Sequence, residues 1–129
     1  MTEPLTDDEL AFLSGTLDLA RQGRTADLAE RLDAGIPVNL TGAGGDSLLI
    51  LAAYHVHPAT VDALLARGAD HARVNDRGQT ALGAAVFRRS EPIVAALLAA
   101  GADPDLGARS ARQIAAVFEL DQMRALLDG

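Results

Sequence analysis

A chain of 129 residues with a net charge of −7 is one domain's worth of polypeptide, long enough for a single buried core. It has no cysteine, and all eleven basic residues are arginine, so disulfides, thiolate nucleophiles, cysteine zinc sites, a phosphate-loop lysine and Schiff-base chemistry are excluded. The acidic balance argues against nucleic acid and anionic membranes as partners, since both are bound through basic surfaces.

In chain order, residues 1–10 are acidic where a secretory leader needs basic residues followed by an apolar run. No stretch approaches the ~20 apolar residues that span a bilayer. A soluble, cytoplasmic protein is expected, and the alanine and arginine bias points to a bacterial source. Thr6 and Glu9 have the spacing of a capping box, with Leu5 and Leu10 placed to form a hydrophobic staple across it. That predicts a first helix over 7–21, with Phe12 in its core face. A second helix follows over 25–34, ended by Gly35.

Residues 41–46 form a glycine-rich loop, expected to be more mobile than the later loop over 75–78. Ser47, Thr80 and Ser110 each precede a helical run, where a hydroxyl caps free N–H groups. Pro58 and Pro92 open second helices, where a missing N–H costs little. Ala52, Ala53, Ala84 and Ala85 let paired helices approach closely. Leu64, Leu65, Leu97 and Leu98 fill the space between successive units.

Much of this pattern repeats. Gly35, Gly68 and Gly101 lie 33 residues apart, and so do Leu28, Val61 and Val94, and Leu32, Leu65 and Leu98. Leu49 with Leu82, Ala52 with Ala85, and Ser47 with Thr80 keep the same register. A period of 33 is that of a β-turn followed by two antiparallel helices, stacked because no unit buries its apolar face alone. At these residues the chain resembles the ankyrin-repeat family. The pattern G-x-T-P-L-H-x-A is matched by Gly78, Thr80, Leu82 and Ala85, and V-x-x-L-L-x-x-G-A-D by Val94, Leu97, Leu98, Gly101, Ala102 and Asp103. Gly45, Ser47, Leu49 and Ala52, then Val61, Leu64, Leu65, Gly68, Ala69 and Asp70, match it in the unit before. The proline is missing from both central units, and the histidine is replaced by Ile50, Gly83 or Gln113.

The resemblance is strongest over 41–106 and implies an all-α solenoid in one domain. Its units are expected over 1–40 (an N-terminal cap), 41–74, 75–106 and 107–129 (a shortened C-terminal cap). In the last unit Arg112 stands where the inner units have Leu49 and Leu82, as suits a face with nothing stacked on it.

Residues that could carry chemistry are few. His55 and His57 could be read as two metal ligands, with Asp46 or Asp62 approaching. The register instead makes His55 a surface side chain and His57 a turn residue before Pro58, and a diagnostic metal site needs a full ligand set. His71 reads as a loop residue. Ser47 lacks a nucleophile-elbow context and reads as a cap. The sequence therefore predicts no enzyme and no cofactor.

The resemblance implies instead a protein-binding module that uses a concave face of loop tips and first helices. Tyr54 with His55 and Phe87 with Arg88 fall at equivalent positions, Val117 with Phe118 in the last unit, and Arg21 with Gln22 in the first. Three of the four aromatics thus share one stripe, and aromatics flanked by arginine match the composition of interface hot spots. Asp46, Asp76, Arg77 and Gln79 supply a polar rim. The partner is expected to be another protein and the chain a monomer. A metal site on His55 and His57, or self-assembly through the stripe, are the alternatives.

Overall fold

The computed structural model describes residues 4–129; residues 1–3, which belong to the unit expected over 1–40, lie outside the described residues. Among the described residues eight α-helices follow one another: α1 (Asp7–Gln22), α2 (Thr25–Asp33), α3 (Leu48–Tyr54), α4 (Pro58–Ala66), α5 (Ala81–Phe87), α6 (Glu91–Ala99), α7 (Ala111–Val117) and α8 (Asp121–Asp128). They pack as consecutive pairs. The odd-numbered helices stack side by side in one layer and the even-numbered helices in a second. No β-strand forms among the described residues; Thr41 and Ser47 make one isolated bridge.

Each helix start follows from its local sequence. Glu9 N–H donates to Thr6 Oγ1 (3.1 Å) and Thr6 N–H to Glu9 Oε1 (2.9 Å), completing the capping box. Those bonds to Thr6 hold the Glu9 carboxyl below the usual carboxylate range. Ser47, Thr80 and Ser110 accept from the N–H groups of Ile50, Gly83 and Gln113 at 3.1–3.2 Å. The positions that lack the family's histidine are therefore capped by the hydroxyl. Gln113 adds a side-chain bond back to Ser110 N–H. Gly35, Gly68 and Gly101 take the left-handed conformation after α2, α4 and α6, with φ of 117°, 82° and 96°.

Burial explains why α3 and α5 are apolar all round. Leu48–Ala53 and Ala81–Val86 are buried at every position because each helix touches a first helix on both sides and its own partner. Only the seventh residue of each, Tyr54 and Phe87, emerges. Ala52, Ala53 and Ala85 are fully buried, as close helix approach requires. Leu64 and Leu97 are fully buried, while Leu65 and Leu98 are half-buried against the same core.

The structure corrects one expected core residue. Phe12 is 45% exposed, with the Arg31 guanidinium 4.1 Å from its ring centroid. By the 33-residue period α3 corresponds to residues 15–21 of α1, so Phe12 lies in the N-terminal extension of that helix, one turn before the fully buried Thr16, where no neighbouring unit covers it. Arg31 also donates to Phe12 O (2.9 Å) and Thr16 Oγ1 (3.0 Å), covering the ring and α1 backbone together.

Three turns between paired helices use a left-handed residue that is not glycine: Val56 (φ 61°), Arg89 (φ 60°) and Glu119 (φ 53°). Their recurrence marks the turn as part of the repeat. A side chain there costs roughly 1–2 kcal/mol. Glu119→Gly, at an exposed site, should therefore raise stability by about 1 kcal/mol, read as a higher midpoint in thermal unfolding.

The loops ahead of the odd helices project as fingers that are bonded in series. Residues 43–45 form one 3-10 turn, with Gly44 and Gly45 at positive φ. Asp76 N–H donates to Gly44 O (2.9 Å), and Arg109 N–H donates to Gly78 O (3.0 Å).

Candidate functional site

A groove of about 530 Å³ runs along the fingers and the C-terminal ends of the odd helices. Its floor is Ile50, Leu51, Ala84 and Ile114, and its ridge is Tyr54, Phe87 and Phe118. Tyr54 and Phe87 stack with ring centroids 6.3 Å apart and planes 8° apart; Phe87 meets Phe118 edge-on at 5.5 Å and 70°. His55 sits edge-on to Tyr54 at 5.2 Å. Each aromatic contact contributes roughly 0.5–1.5 kcal/mol beyond burial, so the ridge is pre-arranged. Its rings nonetheless stay 40%, 41% and 52% exposed.

The last unit reaches this ridge in a different way. Val117, at the end of α7, holds the position of Tyr54 and Phe87 and is 74% exposed. Phe118 is the C-cap, equivalent to His55 and Arg88, and its ring still meets Phe87.

Asn75 organises the rim. It is 4% exposed, and its Nδ2 donates to Asp46 Oδ1 (2.9 Å) and Gln79 Oε1 (3.3 Å). Its Oδ1 accepts from the N–H groups of Arg77 and Gln79 at 3.0 Å each. Arg77 lies 3.6 Å from Asp46 and donates to Gln79 Oε1. Asparagine readily bonds backbone groups two or more residues on, which is the signal that marks Asn75 as a finger hub.

Of the residues singled out in the sequence, the groove brings together Tyr54, His55, Arg77, Gln79, Phe87 and Phe118, with Asp46. Asp76 and Arg88 lie outside its lining. Asp76 bonds the neighbouring finger through its N–H, with its carboxylate beside Gly45. Arg88 Nη1 donates to Tyr54 O (2.8 Å), with the guanidinium 5.3 Å from the Tyr54 ring centroid, bracing the ridge from its side. Arg21, which the repeat register placed on the stripe with Gln22, also lines the groove, and so does Arg109, which the sequence did not single out. Arg109 was findable: in the shortened last unit it holds the position of Asp46 and Gln79.

His57 has a structural task that the turn reading missed. Its Nε2–H donates to Arg21 O (2.7 Å), and the ring packs so closely on Gly23 that a Cβ there would overlap it. His57 thus ties the second unit to the end of α1 and fixes the backbone of Arg21. No group of three or more histidine or carboxylate side chains able to hold a metal occurs among the described residues.

His55 is less basic than an ordinary histidine. Partial burial is the main cause, followed by the positive charges of His57, Arg88 and Arg21, with Asp46 opposing. A lowered folded-state value means that the unfolded chain binds the proton more readily. The stability this gives is complete above the ordinary value of 6.5 and is lost as pH falls below it. His55→Gln should therefore lose less stability than the wild type between about pH 7.5 and about pH 5 in urea titrations.

Stacked helix pairs with serially bonded fingers and a groove along one edge define a helical solenoid of the binding-repeat class. Residues 17–108 match the family model described as ankyrin repeats (3 copies), and the chain belongs to the ankyrin-repeat family. A putative ankyrin repeat protein of Pseudomonas aeruginosa is 50% identical over 50 residues, 39% of this chain and 29% of that protein. The crystal structure of the human ASB11 ankyrin repeat domain is similar at a TM-score of 0.77 and 30% identity, over 87% of this chain and 52% of that one. The chain thus matches under a third of the one relative and about half of the other. Ankyrin repeats are in general protein–protein interaction modules and typically not enzymes. No described helix is long and apolar enough to cross a membrane.

Proposed function

We propose that this chain is an adaptor or modulator that binds a partner protein through the groove along its concave face. The observation that carries this reading is the ridge of Tyr54, Phe87 and Phe118, whose rings are in mutual contact yet left half-exposed. Rigid aromatic surface loses little entropy on binding, and aromatic residues beside arginine dominate interface energetics. The arginine-rich, lysine-free composition and the Pseudomonas relative support a bacterial source.

The test is affinity capture from a cell extract with the wild type and with a Tyr54→Ala/Phe87→Ala double variant. Both side chains stand outside the buried core, so the double variant should fold, as circular dichroism would report. It should lose the captured partner, with each truncation costing roughly 2 kcal/mol of binding. Equal capture by both proteins would remove this face as the binding site. Light scattering of the purified chain separates partner binding from self-assembly.

A further inference from the structure

The arginines divide unevenly between those with and those without an acidic neighbour. Arg21, Arg24, Arg67, Arg73, Arg77, Arg112 and Arg124 each lie within ion-pair distance of an aspartate. Four have no such partner among the described residues: Arg31, Arg88, Arg89 and Arg109. Arg31 is engaged with the α1 backbone and the Phe12 ring, at the opposite end of the stack. The other three surround the exposed aromatics. Arg88 braces Tyr54 through one nitrogen. Arg89 lines a depression of about 440 Å³ with Phe118. Arg109 lines both the main groove and an apolar hollow of about 370 Å³ formed with Ile114, Val117 and Phe118.

In a chain with eighteen acidic and eleven basic side chains, a guanidinium readily finds a carboxylate. The three that lack one lie beside the exposed side chains of Tyr54, Phe87, Val117 and Phe118. No nearby carboxylate pairs with them: Asp46 is engaged by Asn75 and Arg77, while Glu119 and Asp121 share the Arg89 depression without reaching ion-pair distance. An exposed guanidinium can take a carboxylate in paired, charge-assisted hydrogen bonds.

We infer that the partner presents an acidic segment with interspersed apolar side chains. Its carboxylates engage Arg89 and Arg109, with Arg88 at the margin, and an aliphatic or aromatic side chain enters the hollow between Ile114 and Phe118. This rests on the reading of the groove as a protein-binding face and adds the chemistry of what binds there. It also accounts for an acidic protein taking an acidic ligand, because these guanidinium groups have no ion-pair partner among the described residues.

Selection from a random peptide library displayed on phage tests the inference without a known partner. Peptides retained by the wild type should be enriched in aspartate and glutamate alongside leucine, isoleucine or aromatics. Their synthetic forms should bind more weakly as salt rises. An Arg89→Gln/Arg109→Gln variant, altered at two exposed side chains, should unfold at the wild-type temperature and bind these peptides roughly ten-fold more weakly or worse. Neutral or basic selected peptides, no enrichment, affinity indifferent to the two arginines, or equal binding of polyuridylate RNA would each overturn it. Capture from extract separates the two levels. A partner lost by the Tyr54/Phe87 variant but kept by the Arg89/Arg109 variant sinks the acidic segment and leaves the groove standing. A partner kept by both sinks the groove as well.

Discussion

Leu82→Ala should lower the unfolding free energy by roughly 3 kcal/mol, within the usual range for emptying a well-packed leucine site. Leu82 has no exposed surface and lies on α5, which packs against α3 on one side and α7 on the other. Its helix is packed between first helices of the units on both sides, so the site cannot collapse without shifting the stack. Stability in a solenoid is close to a sum of unit and interface contributions. Weakening the central unit should therefore also broaden the transition as the two ends lose their coupling. Urea unfolding followed by circular dichroism reads both effects. Arg112 provides the control: it holds the same register in the last unit but is only half-buried, in ion pairs with Asp105 and Asp128. Arg112→Ala should change little, since exposed pairs contribute little. A Leu82→Ala loss no larger than that of Arg112→Ala would contradict the stacking account.

Gly107→Ala should disable the last finger. Gly107 has φ of 93°, and a Cβ built there would overlap the Gly78 carbonyl oxygen, the atom that accepts from Arg109 N–H. Left-handed strain alone costs about 1 kcal/mol, and displacing the finger raises the loss to roughly 2 kcal/mol or more. Because Arg109 hangs from the displaced segment, partner capture should fall together with thermal stability. Gly44→Ala is the matched comparison. Its φ is 72°, but nothing lies within 4 Å of the added Cβ, so only the strain should register. Equal melting temperatures for the two variants would rule out close finger contact at Gly107.

Features that depend only on neighbouring residues are legible in the sequence. The hydroxyl caps at Ser47, Thr80 and Ser110, the prolines opening α4 and α6, and the left-handed glycines all act within a few residues of their own position. Their recurrence every 33 residues therefore carries the fold. Helix ends fall within a residue of expectation: α1 continues to Gln22, and α2 stops at Asp33 before the Ala34 cap. The aromatic stripe is legible for the same reason, because equivalent positions in stacked units must line up.

What the sequence could not decide depended on which surface each side chain meets. Phe12 has the spacing of a core residue and lies in the N-terminal extension of α1, beyond the reach of the next unit. Phe118 meets Phe87 from the C-cap, one residue past the aromatic register. His57 looks like a turn residue and ties two units together through the Arg21 carbonyl. Asp76 and Arg88 share the finger and stripe positions but turn to neighbouring backbone, whereas Arg109 comes into the groove through a finger three residues shorter. By itself the sequence determined the repeat, its caps and the alignment of its aromatics, because these follow from local hydrogen bonding and a fixed period. Only the tertiary structure decided which arginines meet a carboxylate and which stand free beside the aromatics, because that depends on distances between units no local pattern encodes.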